Sequence, residues 1–150
     1  MDRTFQVHSI EDTEQFAQQL APFLSPPDVL TLEGDLGAGK TTFTQALAKA
    51  LGIKRTVSSP TFTIMKQYEG RIPFNHLDVY RLEHSDEDLG WEEIFDGDAI
   101  SVVEWAQFIE EELPKERLEI RITRDDETTR TITLIPKGER FENICRELQL

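Results

Sequence analysis

Apolar positions recur along this chain in two rhythms, and the change from one to the other marks its elements. Thr4 to Ser9 alternates through Phe5 and Val7 and predicts a short edge strand. Ser9, with Asp12 three residues on, then forms a capping-box-like start to a helix. That helix carries Phe16, Ala17, Leu20 and Phe23 on one face and ends before Ser25-Pro26-Pro27. The run Val29 to Glu33 predicts a buried strand, and Phe43, Ala46, Leu47 and Ala50 return to helical spacing. Thr61–Tyr68 and Ile72–Tyr80 are strand-like runs joined by Glu69-Gly70-Arg71, a connection short enough to require an antiparallel hairpin. His84 to Asp88 opens an acidic helix with Leu89, Trp91, Ile94 and Phe95 as its apolar contacts, closed by Asp96-Gly97-Asp98. Ala99 to Trp105 is the most apolar strand and is therefore expected at the centre of a sheet. Phe108–Leu113 predicts a short helix stopped by Pro114. Leu118–Ile122 and Thr131–Ile135 predict a second hairpin, and Phe141–Leu148 a closing helix with Phe141, Ile144, Cys145 and Leu148 inward.

Between the second strand and the helix after it stands Gly34-Asp35-Leu36-Gly37-Ala38-Gly39-Lys40-Thr41-Thr42. It fits G-x-x-x-x-G-K-[ST], the phosphate loop. Glycines let backbone N–H groups turn in around an anion, a lysine at Lys40 reaches the β- and γ-phosphates, and the Thr41 hydroxyl can ligate Mg²⁺. The helix that follows presents its positive end to the phosphates. A chain of this length matches the pattern by chance roughly once in 200 at average residue frequencies. The strand–loop–helix setting lowers that further, so nucleoside triphosphate binding is expected, through Asp35 to Thr42. The fold expected around such a loop is a single α/β domain over residues 1–150. It is a three-layer, P-loop NTPase-like arrangement with a mixed sheet, parallel at the phosphate loop and antiparallel at the two hairpins.

Other positions offer chemistry that the pattern alone leaves open. Thr56 to Thr63 is rich in hydroxyls around Pro60, either a plain turn or a γ-phosphate contact with Thr61 as its ligand. Asp78 ends a strand and is either a solvated terminus or a second Mg²⁺ anchor. Glu104 ends the most apolar strand; beside the phosphate-loop strand it would project at the carboxyl edge, to orient water or hold Mg²⁺. Trp105 next to it reads as core, as a lid, or as a partner contact. His8, His76 and His84 lack neighbours at zinc spacing, and His76 reads as a structural or supporting histidine.

Composition narrows the partners. The formal net charge of −13 over 150 residues repels phosphate backbones, so strong direct binding of nucleic acid is not expected. One cysteine, Cys145, permits no internal disulfide and suits the cytosol. Neither a signal peptide nor an apolar run of membrane-spanning length is apparent. A small-molecule kinase is the alternative to a hydrolase, but basic residues are scattered and there is no lid-sized insertion. A GTPase switch would need an N-K-x-D base-reading sequence, which the chain lacks.

Four segments in order, GDLGAGKTTF, SPTFT, HLDVYRL and VVEW, resemble the TsaE (YjeE) family of small bacterial P-loop ATPases, and the likeness extends to Gly138-Glu139-Arg140 near the end. The resemblance implies a part in making threonylcarbamoyladenosine in tRNAs that read codons beginning with A. It implies work alongside TsaB, TsaC and the transferase TsaD, with ATP hydrolysis as an accessory step. It further implies Lys40 and Thr41 on phosphates and Mg²⁺, Thr61 as γ-phosphate sensor, Asp78 and Glu104 as metal or water carboxylates, and Trp105 as a nearby functional aromatic. Gly138 and Arg140 are candidates for reading the adenine.

Overall fold

A computed structural model describes residues 2–35, 37–58, 64–83 and 89–150 of the chain. The first rhythm yields strand β1 (Arg3–Val7) and helix α1 (Ile10–Leu20). Ser9 Oγ accepts the Asp12 N–H at 3.1 Å, and the Asp12 carboxylate accepts the His8 N–H at 2.9 Å, so the box closes one residue earlier than its usual form. Strand β2 (Val29–Glu33) feeds the glycine loop and helix α2 (Lys40–Ala50). The first hairpin is β3 (Met65–Tyr68) and β4 (Phe74–Asp78), antiparallel as expected; the expected start of its first strand, 61–63, lies outside the described residues. Helix α3 (Trp91–Phe95) is shorter than the pattern suggests. Residues 84–88 lie outside the described residues, and Gly90, at φ 83°, sits in the left-handed region just before Trp91, so Leu89 is not helical. Strand β5 (Ile100–Glu104) leads to a 3-10 segment at Ala106–Glu112, and β6 (Arg117–Arg124) with β7 (Arg130–Lys137) make the second hairpin before helix α4 (Glu139–Glu147).

The seven strands among the described residues join one sheet in the order β1-β7-β6-β2-β5-β4-β3. Its four central strands, β6, β2, β5 and β4, run parallel, while β3, β7 and β1 attach antiparallel to their neighbours. The expected mixed sheet is thus observed, with β5 near its centre and every residue of β5 buried. Helices α1, α2 and α4 pack on one face around Phe16, Phe43, Leu47 and Phe141; Trp91, Phe95 and Ile109 cover the other against Leu77 and Val103. The buried stripe of α2 also includes Thr44 and Ala48, with Ala46 and Ala50 at its margin. Thr44 is tolerated there because its hydroxyl donates to the Lys40 carbonyl at 2.9 Å.

Phe43 is fully buried and stacks on Phe16, ring centroids 5.6 Å apart, which fixes α2 against α1. Phe43→Ala is expected to lower stability by about 3–5 kcal/mol, the usual cost of deleting a buried aromatic. In thermal denaturation that appears as a drop of roughly 6–20 °C for a domain of this size. A drop of under a degree would mean that α2 is not held through this residue.

Candidate functional site

Parallel strands point the same way, so the carboxyl ends of β2, β5 and β4 deliver three loops to one edge of the sheet. At that edge lies a cavity of about 730 Å³, within the range of small-molecule sites. Its floor is the loop from Gly37 through Thr42. Gly34 approaches β6 so closely that a Cβ would stand 2.5 Å from the Ile122 carbonyl oxygen, and Gly39, at φ 107°, takes a left-handed turn directly before α2. Side chains at either would push the loop out of shape. The two ends of the molecule's helices differ in an informative way: Ser9 caps α1, whereas no side chain caps α2 and its first turn holds no acidic residue. The amino end of α2 therefore opens on the cavity as an anion seat.

The carboxylates come from adjacent strands. Asp78 and Glu104 are register partners on β4 and β5, on the same face, and both line the cavity with Lys40, Thr41 and Trp105. Glu104 is buried, and each of its oxygens has a partner. Oε1 lies 3.6 Å from Lys40 Nζ, and Oε2 is 2.7 Å from His76 Nε2. Burial opposes its charge, but the hydrogen bond and charge of His76 and the nearby Lys40 ammonium outweigh it, holding the carboxyl below the ordinary range. Asp78 is half-buried and its Oδ1 accepts the Tyr80 N–H at 3.1 Å. Three of the expected groups, Lys40, Asp78 and Glu104, thus meet in one place from residues far apart in the chain.

Trp105 is neither core nor detached. It is the only non-glycine with positive φ among the described residues, at 61°, a conformation that costs a bulky side chain of order 1–3 kcal/mol. That turn ends β5 and lays the indole beside Lys40, whose Nζ is 5.2 Å from the ring centroid. Tyr80 and Phe108 hold it from behind, with centroids 4.9 and 5.9 Å away.

Some expected residues sit elsewhere. Thr61 and Leu36 lie outside the described residues. Asp35 borders a smaller cleft of about 240 Å³ on the other side of Lys40, with Glu33, Gln107 and Arg121. Gly138 and Arg140 do not reach the cavity, a correction to their expected place. The Arg140 guanidinium donates to both carboxylate oxygens of Asp28 (3.1 and 2.6 Å) and to the Phe23 carbonyl at 3.0 Å, at the amino end of β2. That is the opposite edge of the sheet, and the bidentate pair ties α4 to the turn that enters β2. Conversely, the cavity has a wall that the pattern did not announce, made by His8 to Ile10 and Thr13 on one side and by Glu127, Thr128 and Arg130 on the other. Arg130 braces the loop itself, donating to the carbonyls of Ala38 at 3.0 Å and Gly37 at 3.4 Å. An arginine opening a hairpin strand gives no local sign of such a contact; only the strand order β1-β7-β6-β2 brings it there.

Oxygen donors from Thr41, Asp78 and Glu104 in one cavity suit a hard divalent cation. Among the described residues no group of three or more His, Cys, Asp or Glu forms a closed metal cage, so such a cation would be completed by oxygens of the bound ligand. No helix among them is long and apolar enough to cross a membrane.

Residues 7–132 match the family model described as threonylcarbamoyl adenosine biosynthesis protein TsaE. A Bacillus subtilis protein named tRNA threonylcarbamoyladenosine biosynthesis protein TsaE is 55% identical over 139 residues, covering 92% of this chain and 88% of its own. A Treponema pallidum protein of the same name is 36% identical over 128 residues, 84% of this chain and 95% of its own. The crystal structure of Bacillus subtilis YdiB superposes with a TM-score of 0.83 at 45% identity, over 98% of this chain and 93% of that one.

Proposed function

The chain belongs to the TsaE family of tRNA threonylcarbamoyladenosine biosynthesis proteins, and from that premise we propose that its cavity binds ATP with Mg²⁺ and hydrolyses it as an accessory step of the modification. Its role is in threonylcarbamoyladenosine modification of tRNA. The observation that carries the hydrolytic reading is the convergence of Lys40, Asp78 and Glu104 on the phosphate loop's cavity from three separate elements.

In this reading the amino end of α2 and Lys40 hold the phosphates. Thr41 and Asp78 hold Mg²⁺, which would offset charge on the β- and γ-oxygens. Glu104, kept charged and fixed between Lys40 and His76, orients the attacking water or shares the metal. Trp105 walls the site, and Thr61 contacts the γ-phosphate. With Gly138 and Arg140 at the far edge, the adenine falls to the wall made by Ile10, Thr13 and Thr128. Ile10 is 61% exposed there and offers an apolar platform to a base. A kinase acting on a small molecule would need a second substrate held by cationic clamps near Lys40. The neighbouring cleft has Glu33 and Asp35 facing a single Arg121, and Glu33 already accepts from Arg121 at 3.0 Å.

The partners proposed are the TsaB and TsaD proteins of the same pathway, in the cytoplasm. Copurification of the tagged chain tests this: TsaB and TsaD should be retained with ATP and released without it, and retention that ignores ATP would count against the accessory role. RNA should be held by those partners and not by this chain. A surface of net charge −13 should leave the isolated protein with a dissociation constant for tRNA weaker than about 10⁻⁴ M at physiological salt. A gel shift showing submicromolar affinity for the protein alone would overturn that.

A further inference from the structure

We propose that His76 is the positioning residue of the site: its Nε2–H holds one oxygen of Glu104 so that the other alone faces Lys40 and the cavity. The inference rests on the hydrolytic reading above. His76 lies on β4 and pairs in register with Val102, so it sits one same-face step below Glu104, behind the cavity wall and not in it. It is 1% exposed, and its Nε2 is 2.7 Å from Glu104 Oε2. Glu104 has a long side chain at the very end of a strand, where three rotatable bonds would otherwise let the carboxylate swing. A short hydrogen bond to a residue packed inside the sheet removes that freedom and leaves Oε1 as the working oxygen, 3.6 Å from Lys40 Nζ.

Among the described residues His76 Nδ1 is buried without a hydrogen-bond partner, so the contact to Glu104 is the ring's one polar anchor. Its strand is paired on both sides, with β5 and β3, so the ring is fixed by its place in the sheet and Glu104 inherits that orientation.

Amide replacements separate positioning from mere filling. The side-chain nitrogen of glutamine reaches where Nε2 stands, and that of asparagine only where Nδ1 stands. His76→Leu is expected to lower kcat for ATP hydrolysis about 10–100-fold, as loss of such supporting partners usually does, with ATP affinity held within a few-fold. His76→Gln should recover most of the loss and His76→Asn little of it. Combined with Glu104→Gln, His76→Leu should add no further loss, because it acts only through that carboxylate. Nitrogen-15 spectra of labelled histidine in the full chain should show the His76 Nε2 signal moving in Glu104→Gln. Full turnover in His76→Leu, equal rescue by asparagine, or losses that multiply with Glu104→Gln would overturn the proposal. If the wild type bound ATP without hydrolysing it even with its partners, the hydrolytic reading would fail on its own. The spectra would then decide the geometry, and an Nε2 signal indifferent to Glu104→Gln would refute it.

Discussion

Lys40→Ala is expected to weaken ATP binding by roughly 10²–10⁴-fold, beyond detection in an ordinary titration. The ammonium stands at the floor of the cavity and would make charge-assisted hydrogen bonds to the β- and γ-phosphates. Two such bonds at about 1.5–3 kcal/mol each give a loss of roughly 3–6 kcal/mol, which is that range of affinity. The structure adds a second effect in the same direction. Lys40 stands 3.6 Å from Glu104, so removing it leaves a buried carboxylate unbalanced and the cavity more negative toward a triphosphate. The fold should survive, because Lys40 is the first residue of α2 and its side chain packs on Trp105 and not into the core. Isothermal calorimetry with ATP and Mg²⁺, alongside a melting curve, reads both. Unchanged affinity in a folded Lys40→Ala protein would remove the phosphate-loop assignment.

What the sequence made legible was what a few consecutive residues can specify. The phosphate loop needs Gly39, Lys40 and Thr41 side by side, so its chemistry is written locally. A strand buried on both faces is an unbroken apolar run, which marked β5 as central and put Glu104 at its carboxyl end. The short connection Glu69-Gly70-Arg71 marks the first hairpin, and the acidic turn Asp125-Asp126-Glu127 between two alternating runs marks the second. The failures concern contacts between distant segments. Arg140 is expected at the adenine, but nothing local announces its pairing with Asp28, which spans 112 residues. The cavity's far wall is built where β1 and the β6–β7 hairpin meet the loop, and alternation cannot say which strands become neighbours. His76 shares the face of Asp78 by the strand's period of two, but its partner lies 28 residues on, across a parallel pair that no local signal specifies. Helix α3 begins at Trp91 and leaves out Leu89, because Gly90 takes a left-handed turn that the apolar spacing does not announce.

Glu104→Gln is expected to keep ATP binding within a few-fold while lowering hydrolysis about 10²–10³-fold, the usual cost of removing one preorganised electrostatic group at a reacting centre. The substitution preserves shape, and the amide oxygen can still accept from His76, so β5 and the cavity wall should remain in place. What disappears is the charge that the surroundings of Glu104 work to maintain, since His76 and Lys40 hold it ionised against the effect of burial. Phosphoryl transfer offers the protein little covalent chemistry, so positioning of water and stabilisation of charge carry most of the rate. Asp78→Asn should behave differently. Asp78 is half-buried at the end of β4, its Oδ1 accepting the Tyr80 N–H, and Lys40 is paired with Glu104. As the proposed metal anchor it should weaken Mg²⁺-dependent ATP binding more than Glu104→Gln does. Turnover of the isolated wild type should be slow and should rise with TsaB and TsaD, since Arg130, which lines the cavity, is committed to the carbonyls of Ala38 and Gly37. The assay is ATP turnover and Mg²⁺-dependent binding for wild type and both variants, with and without the partner complex. Wild-type turnover in Glu104→Gln would take that residue out of the reaction, and brisk hydrolysis by the isolated chain would end the accessory reading.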